Sequence, residues 1–118
     1  MNDHLQSTLR TEIAALAESQ RLGVIATHGT GHPHCSLVGI DISKDLKSLL
    51  FATPRTTRKF ENISTNAKVS VLLDNRSNTP GDFRNAIAVT VWGEAEEFAK
   101  NPEGRMLKAY LKKHPYLR

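Results

Sequence analysis

The central segment of the chain reads SLLFATPRTTRK over residues 48–59. Its apolar first half predicts a strand, and its second half predicts a turn that leads into a short helix near Thr57. Three cations, Arg55, Arg58 and Lys59, lie where the strand passes into the helix. Because the N–H groups of the first helical turn already carry the positive pole of the dipole, each exposed cation there costs about 0.3–1 kcal/mol. A bound anion would reverse this cost, so the segment predicts a phosphate-binding loop, with a solvated basic loop as the simpler alternative.

The size and composition of the chain limit its class. Its 118 residues are enough for one domain, residues 1–118, with a single modest core. The net charge of +4 fits a small anionic ligand as well as it fits nucleic acid. A lone cysteine, Cys35, excludes an internal disulfide framework, and no apolar run reaches the length of a membrane span or a signal peptide. We therefore expect a cytoplasmic protein that makes no membrane contact.

The spacing of apolar residues predicts a helix, a series of strands and a final helix. Residues 1–20 place apolar side chains at helical spacing and predict an amphipathic N-terminal helix. Residues 21–97 supply the barrel strands, with one short helix inserted among them, and residues 102–113 predict a C-terminal helix that begins with a proline. Three strands follow one another before any inner helix, which argues against a parallel nucleotide-binding sheet. The order favours a small antiparallel barrel.

Six short motifs occur in an order that resembles a known family. They are LGVIAT (22–27), GHPH (31–34), LFAT (50–53), TRK (57–59), VSVL (69–72) and VTVWGEAE (89–96). Together they resemble the pyridoxamine 5′-phosphate oxidase-like FMN-binding split-barrel family over most of the chain. The resemblance implies a mainly β (α+β) fold, a six-stranded antiparallel split β-barrel with flanking helices.

The resemblance also implies how the chain assembles. Members of the family are usually homodimers with FMN bound at the subunit interface. They normally continue from the last helix into a closing strand, whereas this chain ends at Arg118. The last strand is therefore expected to be missing, either because the chain is a fragment or because a partner covers the barrel edge.

Cofactor-binding roles follow from the resemblance for two stretches of the chain. Arg58 and Lys59 would hold the FMN phosphate, and Thr57 would assist them. Ala52 and Thr53 would lie along the ribityl chain. FMN would then be the anion that binds at the phosphate-binding loop inferred from charge and helix position.

The second cofactor-binding stretch lies on the predicted second strand. It comprises Ser36, Leu37 and Val38, whose backbone would run beside the isoalloxazine ring. The oxidase has an arginine where this chain has Ser36, so the resemblance supports only the backbone contact there. The oxidase also has a substrate-binding lysine where this chain has Asp41, and a polar flavin contact where this chain has Ala88. Neither of these two roles transfers to this chain.

The final helix departs from the oxidase as well. Tyr110 matches a tyrosine that binds the substrate phosphate, but His114 stands where the oxidase has an arginine. A neutral imidazole offers one donor where a guanidinium would offer a fork. The resemblance therefore implies FMN binding without the substrate site of the oxidase proper.

Four competent metal ligands lie close together in the sequence, at His28, His32, His34 and Cys35. His34 and Cys35 are adjacent on a predicted strand and therefore point to opposite faces, while His28 and His32 bracket a tight turn. At most two of the four side chains converge, so no metal site is predicted.

Two single residues carry further expectations. Cys35 is expected to be a small buried residue rather than a nucleophile, because no activating partner accompanies it in the sequence. Trp92 alternates with its apolar neighbours along a predicted strand. It is therefore expected to face a partner subunit or the flavin groove.

The leading hypothesis is an FMN-dependent oxidoreductase that acts as a homodimer on an unidentified small molecule. Flavin carries out the electron chemistry, so the catalytic side chains stay unknown. A flavin-binding module without turnover and a haem-binding relative from the haem-utilisation branch of the same fold are the alternatives, and deazaflavin could replace FMN. Nucleic-acid binding is least favoured, because the one Trp, two Tyr and four Phe are not interleaved with basic residues.

Overall fold

The structure, a computed structural model, describes residues 3–97 and 104–115. The helices and strands follow the predicted order with one further short helix, Asp82–Asn85, and the fold is mainly antiparallel β with flanking helices. The elements are α1 (Asp3–Ser19), β1 (Leu22–Thr27), β2 (His34–Ile42), β3 (Leu49–Phe51), α2 (Arg58–Thr65), β4 (Lys68–Asp74), α3 (Asp82–Asn85), β5 (Ala88–Glu94) and α4 (Gly104–Lys113). Within the described ranges, none of the helices combines the length and hydrophobicity needed to cross a membrane.

The strands form one antiparallel sheet in the order β3-β2-β1-β4-β5. This sheet curls into a half-barrel and is consistent with a split barrel that lacks a strand. The described residues form five strands and not the six of the full barrel, as expected if the last strand is missing. Among the described residues after β5, residues 95–97 are not in a strand and Gly104–Lys113 is helical.

The hydrophobic core lies on one face of the sheet, which we call the inner face. Strand side chains alternate between two faces, so every second residue of β1, β2 and β4 points into this core. Leu16 from α1 packs on the same cluster. The buried members are Leu16, Ile25, Val38, Ile40, Val71 and Leu73.

Helix α4 is anchored to β2 by two aromatic side chains. The Tyr110 hydroxyl donates to the Gly39 carbonyl oxygen at 3.0 Å. The Nε2 atom of the fully buried His114 lies 2.8 Å from the Ile40 carbonyl oxygen, which can only accept, so Nε2 carries the proton. The two rings also contact each other, with centroids 4.7 Å apart. Tyr110 and His114 therefore hold α4 against the strand.

Gly39 leaves the space that these two rings occupy. A Cβ at this position would lie 3.1 Å from His114 Cε1 and 3.2 Å from the Tyr110 hydroxyl oxygen. Both rings are held by hydrogen bonds, so they cannot move aside freely. We expect Gly39→Ala to lower the free energy of unfolding by about 1–3 kcal/mol through overpacking. Urea denaturation would measure this loss.

The matched control is Gly93→Ala on β5, where an added Cβ meets no atom within 4 Å. That variant should keep the wild-type free energy of unfolding or gain slightly, because alanine restricts the unfolded chain more than glycine does. Equal stability of the two alanine variants would show that α4 does not depend on the space at Gly39.

Candidate functional site

The end of the loop before α2 and the first two residues of α2, residues 53–59, are together called the cradle. Its conformation is stabilised by two threonines: the hydroxyl oxygens of Thr53 and Thr57 are 2.8 Å apart, and Thr57 Oγ1 donates to the Pro54 carbonyl oxygen at 3.0 Å. Thr57 is also the N-cap of α2, because its Oγ1 accepts from the Phe60 N–H at 3.3 Å. The predicted helix start near Thr57 is therefore confirmed, and the cradle is a closed turn.

The three cations of the cradle are not equivalent. Arg55 forms an ion pair with Glu97, with its Nε atom 2.9 Å from Oε1 of that carboxylate. Arg58 and Lys59 are the first two residues of α2, and within residues 3–97 and 104–115 neither forms an ion pair. The first turn also contains Glu61. The side chains of Arg58 and Lys59 are thus the cations available to an anion at this helix start.

The register of the sheet gives the direction of the chain between the two stretches that are predicted to bind the cofactor. Phe51 of β3 is opposite Ile40 of β2 in an antiparallel pair. The chain at Phe51 therefore runs in the direction that leads back along β2 towards Ser36, and Ala52 and Thr53 follow directly after it. Helix α2 packs on β1 and β2 as well.

The side chains of this β2 stretch lie on opposite faces of the sheet. Ser36 and Val38 are on the inner face with α2, whereas Leu37 is on the other face and 65% exposed. Among the described side chains, the Ser36 hydroxyl oxygen is the buried polar atom that has no hydrogen-bond partner. A buried polar group without a partner costs about 1–3 kcal/mol, and a ligand group could satisfy it.

Helix α2 is held over the end of β1 by a buried polar contact. The Asn62 side-chain amide donates to the Thr27 hydroxyl at 3.1 Å. The backbone at Gly29 passes so closely that an added Cβ would lie 2.7 Å from Asn62 Oδ1 and 3.0 Å from Asn62 Cα. This close contact sets where α2 begins and hence where the cradle lies.

The second face of the sheet, which we call the outer face, is covered by α4 and the residue after it at Gly39 and is exposed around Leu37 and Trp92. Leu37 and Trp92 are the most exposed large apolar side chains on it, and Trp92 is 81% exposed. Trp92 thus lies on the face opposite the core, and the prediction that this face meets a partner subunit or the flavin stays a prediction. The prediction that Cys35 is buried is wrong: it is exposed on the outer face opposite Ala26, because strand alternation directs it away from the core.

Two cavities open on the outer face. The larger, of about 430 Å³, is lined by residues that include His28, Lys68, Ser70 and Trp92. The smaller, of about 180 Å³, has the apolar side chains of Leu22, Val24, Leu37 and Leu72 in its wall, together with the charged Asp74 and Arg76. A patch of this kind on a sheet face is typical of an interaction surface.

The histidine and cysteine cluster does not form a metal site in the described part of the chain. His28 Nε2 lies 2.9 Å from the Gly31 carbonyl oxygen and closes the turn between β1 and β2. No set of three or more described His, Cys, Asp or Glu side chains is arranged to hold a metal ion.

Asp41, which replaces a substrate lysine of the oxidase, lies near α4. Burial lowers the pKa of Lys113, and the neighbouring Asp41 charge acts in the opposite direction. Lys113 Nζ also donates to the Ala17 carbonyl oxygen at 3.0 Å. The Asp41 carboxylate therefore partly offsets the effect of burial on the pKa of Lys113, where α4 meets α1 and β2.

The polar loop between β4 and β5 is ordered by a single carboxylate. Asp82 accepts from the Ser77 backbone N–H at 3.0 Å and from the Asn78 N–H at 2.7 Å. The Ser77 backbone hydrogen bond is the main reason that the pKa of Asp82 is lowered, because it stabilises the charged form. Phe83 of α3 is 98% exposed on this loop.

The residue that sequence reasoning missed at the cradle is Glu97. It lies after β5 and reaches Arg55 only through the fold, 42 positions away in the sequence. No local pattern could have linked the two residues, because an ion pair between distant segments leaves no periodic signal.

Comparison with known families gives one match. A family model described as pyridoxamine 5′-phosphate oxidase matches residues 9–116. No curated protein matches the chain significantly in sequence.

Solved structures show the same fold. A protein from Agrobacterium tumefaciens is similar with a TM-score of 0.79 and 19% identity, and the match covers 92% of this chain and 46% of that protein. A FAD-binding protein from Mesorhizobium loti matches with a TM-score of 0.65 and 23% identity, over 91% of this chain and 75% of that one. The heme storage protein HutZ from Vibrio cholerae matches with a TM-score of 0.70 and 14% identity, over 91% and 73%. This chain thus spans less than half the length of the Agrobacterium protein.

Proposed function

Since the chain belongs to the pyridoxamine 5′-phosphate oxidase family, we propose that it binds FMN at the cradle and acts as a flavin-dependent oxidoreductase on a small molecule. The observation that carries this proposal is the start of α2. Arg58 and Lys59 stand at its first two positions behind a threonine cap, without an ion-pair partner in the described residues. That arrangement is unfavourable alone and becomes favourable when a phosphate binds.

The residues at the site fit a phosphate-bearing cofactor. Arg58 and Lys59 would hold the phosphate group through charge-assisted hydrogen bonds, and Thr57 would assist by capping the helix that presents them. Thr53 and the buried Ser36 hydroxyl offer further polar contacts along the cofactor. Bound FMN would supply the hydride and electron transfer. The contribution of the chain is then to bind and orient the cofactor and to exclude water from one side of it.

We further propose that the outer face forms a homodimer interface with the flavin between the subunits. The exposure of the large apolar side chains Leu37 and Trp92 on this face supports the proposal, because exposed apolar surface on a sheet face often marks an interaction site. Ser36, Leu37 and Val38 alternate between the two faces of β2, so this one stretch borders both the core side and the interface.

Haem binding is the second candidate function. The observation that favours it is His28 in the wall of the larger outer-face cavity, beside the exposed ring of Trp92. A histidine nitrogen is a common axial ligand for haem iron. A flavin-binding module without turnover remains the third candidate, and it differs from the leading one only in activity.

The absorption spectrum of the purified protein, before and after incubation with FMN, riboflavin or haemin, tests these candidates. We expect a flavin band that is retained on gel filtration after FMN loading and is lost after riboflavin loading. Retention of haemin without FMN would move the function to haem binding. Failure to retain any of these compounds would contradict both cofactor proposals.

Pyridoxamine 5′-phosphate should not be oxidised at a useful rate by the FMN-loaded protein. The residues at the substrate-binding positions of the oxidase do not suit this substrate in the present chain. Asp41 would repel a dianionic phosphate ester. Tyr110 and His114 are hydrogen-bonded to carbonyl oxygens of β2. Hydrogen peroxide release measures the reaction, with free FMN as the background. Turnover well above that background would place the protein in vitamin B6 metabolism.

A further inference from the structure

We propose that Glu97 sets the phosphate affinity of the cradle by competing with the ligand for Arg55. This inference rests on the proposed function, because it concerns the same cradle. It adds an acidic residue outside the cradle as a determinant of how strongly the loop binds an anion.

The Arg55 and Glu97 contact has the geometry of a reversible surface ion pair. Both the Nε and Nη2 atoms of Arg55 donate to one oxygen, Oε1, of the Glu97 carboxylate. The guanidinium therefore does not use the two-oxygen arrangement that makes arginine pairs strongest. The side chains are 72% and 52% exposed. Such exposed pairs are weak and exchange partners easily.

The ion pair changes the number of cations that the cradle offers. With Arg55 on Glu97, the loop offers Arg58 and Lys59 to an incoming phosphate. Without Glu97, Arg55 is a third cation, and its planar fork can match two phosphate oxygens. Glu97 therefore weakens phosphate binding by holding Arg55 away from the ligand.

The phosphate group makes it possible to test whether Glu97 acts through Arg55, by comparing two ligands when Glu97 is replaced. FMN and riboflavin share the isoalloxazine ring and the ribityl chain and differ in the phosphate. If Glu97 competes with the phosphate for Arg55, replacing Glu97 must change the affinity for FMN and leave the affinity for riboflavin unchanged. Any general change of the loop would alter the affinity for both.

The experiment titrates FMN and riboflavin into the wild type, Glu97→Gln, Arg55→Gln and the double variant, with flavin fluorescence as the readout. We expect Glu97→Gln to bind FMN about three- to fivefold more tightly, as the size of a surface ion pair implies. The affinity of Glu97→Gln for riboflavin should be unchanged. The gain in FMN affinity should be lost when Glu97→Gln is combined with Arg55→Gln, because the gain depends on Arg55. The matched control is Glu96→Gln, which removes the same charge from the exposed neighbouring residue.

Each outcome decides the proposal. If the wild type binds FMN but Glu97→Gln does not bind it more tightly, the inference is overturned while the proposed function stands. An equal gain for riboflavin, or an equal gain in Glu96→Gln, overturns it as well, because the effect would then not act through Arg55 and the phosphate. If no variant binds FMN, the inference and the proposed function fall together.

Discussion

The double variant Arg58→Ala, Lys59→Ala is expected to bind FMN at least about 100-fold more weakly than the wild type. Each cation would contribute a charge-assisted contact to the phosphate, of about 1.5–3 kcal/mol. Removing both leaves the backbone N–H groups at the start of α2 as the phosphate donors, because the Thr57 hydroxyl already donates to the Pro54 carbonyl oxygen. The fold should survive, and α2 should become slightly more stable without ligand, since alanine replaces two cations at the positive end of the helix.

Titration by flavin fluorescence and thermal unfolding of the ligand-free protein would measure the two halves of this prediction. The matched control is Lys44→Ala with Lys47→Ala, which removes the same charge from two exposed residues between β2 and β3. That control should lose much less affinity. If both double variants bound FMN equally, the net charge of the protein and not the cradle would account for binding.

Leu37→Asp is expected to convert a dimer into a monomer at micromolar concentration. Leu37 is largely exposed in the isolated chain, so the fold should tolerate the change. In the proposed dimer the same carboxylate would be buried without a partner, at a cost of several kcal/mol per subunit. Sedimentation velocity would report the change in mass, and FMN affinity should fall with it because the cofactor is proposed to lie between the subunits.

The control for this prediction is Phe83→Asp. Phe83 is even more exposed than Leu37, but it belongs to the loop between β4 and β5 and not to the outer face of the sheet. It should leave the dimer intact. A wild-type protein that is monomeric and still binds FMN tightly would contradict the interfacial site, and loss of the dimer in Phe83→Asp alone would place the interface at the loop.

Much of the fold could be predicted because it depends on local patterns. The strands β1 and β4 follow from short apolar runs bounded by turn residues, and the start of α2 follows from the threonine cap and the change of period at Thr57. Trp92 was assigned to the side away from the core on the same basis, and the structure agrees. The family resemblance is confirmed by the match over residues 9–116.

The roles of Tyr110 and His114 could not be predicted in this way. Sequence comparison aligned them with a substrate site, whereas the structure shows both rings packed at Gly39 and bonded to the carbonyl oxygens of β2. Cys35 is a similar case. Its small size suggested burial, but the face on which a strand residue lies depends on which side of the sheet the core covers.

The linear order of residues was therefore sufficient for the strands, the capped helix and the cluster of three cations in the cradle, because these depend on neighbours within a few positions. Pairing between Arg55 and Glu97, the unpartnered Ser36 hydroxyl and the exposure of the outer face were decided by tertiary structure. The physical reason is that each of these three features depends on how segments far apart in the chain are placed relative to one another. The curl of the sheet and the packing of its inner face decide that placement, and local conformational preference does not.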